Sequence, residues 1–191
     1  MRVTIEGSGR HIHITKEHLA ALCGADYALE VKKMLSQPGE FASNTKLDVI
    51  GPKGTIKGVS ILGPCRAATQ VELSLTDAKV LGLICPVRES GDVKGSAGCT
   101  IVGPLGSIAL TEGAIIAKRH VHFTPEDAET AGVQDKEIIE VRVEGPRALI
   151  FDEVVCRVSP RYATYMHVDY DEWNAAALSP DNCAGEIVKK P

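Results

Sequence analysis

The hexapeptides RHIHIT (10–15) and RHVHFT (119–124) decide the reading of this chain: they place four of its six histidines in one pattern, Arg-His-x-His-x-Thr. On an extended strand residues i and i+2 project from one face, so His11 stands beside His13 and His120 beside His122. Apolar residues alternate with them (Ile12, Ile14; Val121, Phe123), which is the period of a half-buried strand. Thr15 and Thr124 then fall where a short helix takes its N-cap, and Pro125 suits the first helical position.

The resemblance extends beyond the hexapeptides. HIHITKEHLAALCG and HVHFTPEDAETAG share His-x-His-x-Thr-x-Glu, with the first histidines 109 residues apart. Downstream, GPKGTIKGVSILGPCRAATQVELSLTDAKVLGL overlays GPRALIFDEVVCRVSPRYATYMHVDYDEWNAAAL with one inserted residue. In that overlay Arg66 meets Arg161, the Ala-Thr of 68–69 meets that of 163–164, and Glu72 meets His167. The chain therefore reads as two related halves, 1–85 and 113–191, joined by a Gly-rich connection with a hairpin signal over 86–112. Gly-Pro turns at 51–52, 103–104 and 145–146 separate β-rich runs such as TKLDVI, EIIEVRVEG and LIFDEVVCRV. Short helices are expected at 76–83 and 171–178. The fold expected is mostly β with short α-helices: two related small β-barrel domains, helix-capped, forming a pseudo-twofold internal repeat.

Composition narrows the function. A net charge of −4 argues against a protein built mainly to hold nucleic acid, and 4% aromatic content against a base-stacking platform. No apolar run reaches the roughly 18 residues of a membrane span, and the N-terminus has no signal-peptide core. Six cysteines without a C-x-x-C pair favour reduced thiols in a cytosol-like compartment over a disulfide frame.

Two imidazoles side by side can share a metal ion. An isolated H-x-H is more often an exposed or core-satisfied pair; two copies in matching contexts favour metal. The overlay offers one further ligand per half, Glu72 and His167. Five histidines and a carboxylate suit Zn²⁺ and leave coordination positions open for substrate. His18, in the first helical turn, reads as a surface residue. Arg66, six residues before Glu72, would share its face on a continuous strand; a guanidinium there suits a phosphate or an oxyanion. SGDVKGSAG, from Ser90, has the glycines of an anion-binding loop but matches no nucleotide fingerprint.

Taken together, RHIHIT, GPCRAATQVELS, PVRESGDVKGSAGCTIVGPLGS, AKRHVHFTPED and YMHVDYDEWNAA resemble the phosphate propanoyltransferase family, the PduL-type phosphotransacylases. The resemblance implies acyl-CoA plus phosphate giving acyl phosphate plus CoA, reversibly, at two Zn²⁺ per chain. It implies crossed ligand sets, Glu72, His120 and His122 for one zinc and His11, His13 and His167 for the other. It assigns Arg66 to the active site, and Ser8, Lys33, Leu62 and Asn174 to CoA. Acyl-CoA or CoA and phosphate are the partners expected; nucleic acid and membrane are not. The cytoplasm is the location expected, with a bacterial microcompartment as the other candidate; self-association is compatible with either. Microcompartment members often carry an N-terminal targeting extension, and seven residues precede Ser8 here, which counts against encapsulation by that route. The rival on the same ligands is a zinc metallohydrolase, a thioesterase or phosphatase. A cupin-like module is disfavoured, since cupins keep a glutamate within a few residues of H-x-H and Glu72 lies 59 residues beyond His13.

Overall fold

The computed structural model describes residues 1–188. Its strands and helices run β1 (Arg2–Ser8), β2 (His11–His13), α1 (Lys16–Cys23), β3 (Val31–Met34), β4 (Phe41–Ile50), β5 (Thr55–Gly63), β6 (Gln70–Leu73) and α2 (Leu75–Leu81). There follow β7 (Val87–Arg88), β8 (Ala97–Gly103), β9 (Gly106–Ala117), β10 (His120–Phe123), α3 (Pro125–Ala131) and β11 (Ile138–Val143). The last elements are β12 (Leu149–Val158), β13 (Tyr165–Asp169), α4 (Tyr170–Ala175) and β14 (Ala184–Val188). No helix among the described residues is long and apolar enough to cross a membrane.

The strands close into two barrels. In the first, β4, β5, β2, β6, β9 and β8 pair in that order and β8 returns to β4, with β3 and β7 added outside on β4 and β9. In the second the order is β11, β12, β10, β13, β1, β14, with β14 returning to β11. Corresponding staves pair in the same sense. The H-x-H strands β2 and β10 run parallel to β5 and β12 and antiparallel to β6 and β13. Strands β6 and β13 in turn run parallel to β9 and β1. The internal repeat of the sequence is thus a repeat of barrel topology.

The repeat halves are units of resemblance, whereas the compact units are interleaved. One unit comprises Gly9–Leu35 and Gly39–Ala117; the other comprises Met1–Ser8, Ser36–Pro38 and the chain from Lys118 onward. Strand β1 leads directly into the first H-x-H yet is a stave of the second barrel, and β9 leads into the second H-x-H yet closes the first. A barrel short of one stave would expose two open sheet edges, which full closure removes. Residues 86–112, expected as a connection, supply β8 and half of β9 because the first barrel closes through those staves; the hairpin expected at VGPLGS is their turn, with Gly103 opposite Gly106.

Each barrel has its own core. Ile12, Ile14, Leu47, Val49, Ile61, Val71 and Ile101 fill the first; Ile5, Val121, Phe123, Ile139, Val154 and Met166 fill the second. The helices begin where caps dictate. Thr15 and Thr124 are N-caps as expected, with Pro125 in the first turn. The second and fourth helices start one residue earlier than expected, because capping boxes formed by Ser74 with Asp77 and by Asp169 with Glu172 fix their first turns. Gly82 in the left-handed conformation ends α2 before Leu83. Two Gly-Pro turns receive helix ends: Lys53 N–H donates to Leu81 O and Leu105 N–H to Leu22 O, each at 3.0 Å. A Cβ on Gly51 would lie 2.3 Å from Leu81 O, and one on Gly103 2.7 Å from Leu22 O. Glycine there lets a strand end satisfy a helix carbonyl.

The exchange of leading strands has a measurable consequence. Ile5, 1% exposed, packs in the second core although it precedes the first H-x-H. Ile5→Ala is expected to cost about 2–5 kcal/mol of stability. Hydrogen exchange should then accelerate in β11 and β12 while β4 and β5 keep their protection; the reverse pattern would refute the exchange.

Candidate metal centres

The first cluster is a product of strand register. β2 and β6 are antiparallel with His11 opposite Glu72, and directly opposed residues share a face, which His13 also shares. The Nε2 atoms of His11 and His13 are 3.1 Å apart. Glu72 Oε2 lies 3.5 Å from His11 Nε2, and Oε1 lies 3.5 Å from His13 Nε2. All three residues are buried, with at most 8% exposure. Donors about 2.0–2.1 Å from a tetrahedral zinc lie roughly 3.3–3.4 Å from one another. The two imidazole nitrogens, each facing one carboxylate oxygen of Glu72, stand at separations that suit ligands of one such ion.

Surrounding groups aim these donors. His11 Nδ1 lies 2.8 Å from Gly9 O, an arrangement that puts the ring proton on Nδ1 and leaves the Nε2 lone pair for a cation. Glu72 Oε1 accepts from Gln70 Nε2 at 2.5 Å and from Ser90 Oγ at 2.7 Å, while Gly91 N–H holds Gln70 Oε1 at 2.7 Å. Arg66 Nη1 donates to the same Ser90 Oγ at 3.3 Å, and Nη2 pairs with Glu40 Oε1 at 2.7 Å. Burial pushes the Glu72 carboxyl upward, but the facing His11 and His13 overcome this and hold it well below the usual carboxylate range. For His11 burial disfavours charge, and Glu72 outweighs it, raising the imidazole; for His13 burial prevails and lowers it. A buried carboxylate facing two imidazoles is also a donor set that suits a metal cation.

The second cluster repeats the construction. β10 and β13 are antiparallel with His120 opposite His167. His120, His122 and His167 offer ring nitrogens that all lie within 4.8 Å of one another. His120 Nδ1 lies 2.8 Å from Lys118 O, matching His11 and Gly9. Gln37, itself buried, reaches His167 Nε2 at 3.5 Å and grips the backbone of Ala163 through both ends of its amide. The Tyr162 ring lies 4.2 Å from that of His122. Three neutral imidazoles are a donor set for Zn²⁺, as in open catalytic sites.

The Ala-Thr pairs of the overlay acquire a physical role. The N-cap amides of Thr15 and Thr124 donate to Thr69 Oγ1 and Thr164 Oγ1, each at 3.1 Å. Each tie joins the exit of an H-x-H strand to the start of the strand carrying the third ligand. Thr69 Oγ1 also contacts His18 Nδ1 at 2.8 Å, and Thr164 Oγ1 donates to Asp127. His18 is therefore half-buried and tied inward, not the surface residue expected, because its helical position places it over Thr69.

All six expected ligands fall in these two clusters, but the sets are uncrossed: Glu72 joins His11 and His13, and His167 joins His120 and His122. That grouping follows from register, since each third candidate ligand sits on the strand paired with its own H-x-H strand. Arg66 is not on a strand continuous with Glu72, as β6 begins at Gln70; its N–H donates to Ile14 O at 2.9 Å, which holds it beside the H-x-H strand. Arg161, its counterpart in the overlay, is exposed. Lys33 and Leu62 both register with Ala42, on either side of β4. Ser8 registers with Asp169, the cap of α4, which carries Asn174. Gln70 was legible as a same-face neighbour two residues before Glu72. Ser90, Glu40 and Gln37 had no local signal, because the fold brings them in from other segments.

A family model for phosphate propanoyltransferase matches residues 4–179. The phosphate propanoyltransferase of Clostridioides difficile (strain 630) is 49% identical over 188 residues, spanning 98% of this chain and 90% of that protein. That of Enterococcus faecalis (strain ATCC 700802 / V583) is 50% identical over 185 residues, 97% and 87% of the two chains. That of Thermotoga maritima is 50% identical over 182 residues, 95% and 85% of the two chains.

The uncrossed grouping is open to direct test. Glu72→Ala is expected to remove metal from the His11–His13 cluster and leave the other occupied, so that about one ion per chain remains. His167→Ala should do the converse. Anomalous scattering on crystals of each variant locates the ion; loss of metal from His120 and His122 in Glu72→Ala would restore the crossed sets.

Proposed function

The chain belongs to the phosphate propanoyltransferase family and is an acyltransferase; from that premise we propose that it is a zinc-dependent phosphate acyltransferase. It interconverts a short-chain acyl-CoA, propanoyl-CoA or acetyl-CoA, and phosphate with acyl phosphate and free CoA. The observation that carries the zinc dependence is the buried cluster of His11, His13 and Glu72, in which the two Nε2 atoms are 3.1 Å apart and each lies 3.5 Å from a different Glu72 oxygen. The trio His120, His122 and His167 would hold the second ion.

His11, His13 and Glu72 would hold a metal at the first cluster, and the chemistry it would supply is Lewis-acid polarisation of the thioester. In the forward direction a phosphate oxygen attacks the acyl carbon, the C–S bond breaks, and CoA leaves with the sulfur electron pair. Arg66 grips phosphate and offsets the charge that gathers on the carbonyl oxygen. Its partner Glu40 keeps the guanidinium oriented from the far side, while Ser90 links it to Glu72. Gln70 holds the Glu72 carboxylate in one rotamer, so the ligand does not swing to bind substrate in place of metal. Burial pushes the Cys85 and Cys99 thiols up to about 11, which disfavours either as a thiolate nucleophile at neutral pH. Ser8, Lys33, Leu62 and Asn174 are proposed to contact CoA.

Thiol release from propanoyl-CoA and acetyl-CoA, with and without phosphate, tests the reaction. Release is expected to require phosphate and to yield acyl phosphate; equal release without phosphate would make the protein a hydrolase on the same ligands. Metal analysis of protein purified without chelator should give about two ions per chain.

Arg66→Ala is expected to fold, keep its metal and lose about a hundred- to a thousandfold in turnover. Glu40, the carboxylate it leaves behind, is one-third exposed and can be solvated. Arg66→Lys retains charge without the planar fork and should recover part of the loss. Steady-state kinetics should show the phosphate KM rising more than that for CoA; turnover within a few-fold of wild type would remove Arg66 from this role.

A further inference from the structure

Arginine precedes the first histidine of both H-x-H pairs, and the proposed reaction uses neither copy. Both make the same kind of contact. Arg10 forks onto Asp77, with Nε 3.1 Å from Oδ2 and Nη2 3.0 Å from Oδ1. Arg119 Nε lies 2.6 Å from Glu172 Oε1. Asp77 and Glu172 are the third residues of α2 and α4, where each closes a capping box with Ser74 or Asp169. In both halves the cap is two residues beyond the third metal ligand, Glu72 or His167, and the clamped acid is five residues beyond it. The acids differ, the caps differ and the arginine geometry differs, yet the linkage is the same.

We propose that Arg10 and Arg119 are positioning residues for the two metal centres, each holding the third ligand in place by clamping the first turn of the helix that follows it. The inference rests on reading the two clusters as metal sites. The need for a clamp is apparent from the ladder: β2 registers with β6 over three residue pairs only, as does β10 with β13. So short a ladder resists sliding and splaying weakly, and a metal triad tolerates little of either. The threonine ties fix one end of each strand pair, and the arginine clamps fix the other. The competing account is a pair of partly exposed ion pairs of no consequence for the sites, since Arg10 is about half exposed.

Zinc affinity of the full chain, read by competition with a chromophoric chelator, separates the two. His167→Ala leaves the first site alone to be measured, and Glu72→Ala the second. In the His167→Ala background, Arg10→Ala is expected to weaken zinc binding by about ten- to a hundredfold, the usual effect of losing an outer-shell partner. In the Glu72→Ala background the same change should leave affinity within about twofold, because the clamp serves only its own site. Arg119→Ala should show the reverse selectivity. Adding Asp77→Ala to Arg10→Ala should cause little further loss, because both act through one contact. Melting of the zinc-free variants controls for a general loss of stability, which would not discriminate between sites. Where an alanine variant fails to fold, Arg10→Lys or Arg119→Lys takes its place, retaining charge but not the fork. Unchanged affinity, or equal weakening of both sites, overturns the proposal while leaving the metal reading intact. Absence of zinc binding in both single-site backgrounds, with wild type also empty, overturns the metal reading and this inference with it.

Discussion

Two cross-strand registers, His11 opposite Glu72 and His120 opposite His167, govern the chemistry available to this protein. Side chains on a strand alternate between faces, so a slip of one residue between β2 and β6 would carry Glu72 away from the histidines. The fold spends much of its local structure preventing that slip. Threonine side chains tie one end of each strand pair, capping boxes fix the helix that follows, and the aliphatic residues between the ligands are fully buried. Ile12 and Val121 are at 0% exposure, so moving either strand would unpack a core.

Barrel closure supplies the rigidity behind the registers. The third-ligand strands β6 and β13 are each flanked on the far side by a parallel leading strand: β1 comes from the first repeat half, and the part of β9 paired with β6, residues 114–116, from the second. Neither barrel can therefore be assembled from one half of the sequence alone.

The two centres share a scaffold and differ in charge. Glu72 brings a carboxylate to the first, with Arg66, Gln70 and Ser90 around it; the second has three imidazoles, backed by Gln37 and Tyr162. On the metal reading, a dication keeps its full charge among neutral ligands and half of it is offset beside a carboxylate, so the two ions differ in electrophilicity. Arg161, the overlay partner of Arg66, is exposed, and the arginine opposite His122 is instead Arg157, which lies over the Tyr162 ring. The two clusters share their strand registers and differ in the residues around them.

Alternation, capping and repetition are local properties, and they were sufficient for the β-rich fold, the helix starts at Thr15 and Thr124, and all six candidate ligands. The equivalence of Glu72 and His167 was already apparent from the overlay, because a register is conserved when two copies keep the same spacing. What the linear sequence does not carry is which distant segments meet. It read 86–112 as a connection, since glycine-rich composition resembles a loop whether or not its backbone is needed to close a sheet. It could not place Ser90 or Glu40 beside Arg66, or Gln37 beside His167, as these contacts join segments separated by 24, 26 and 130 residues. The grouping of the ligands was likewise decided by strand pairing: hydrogen-bonded neighbours bring Glu72 to His11 and His167 to His120, and pairing between strands is a property of the closed barrel and of no single stretch of chain.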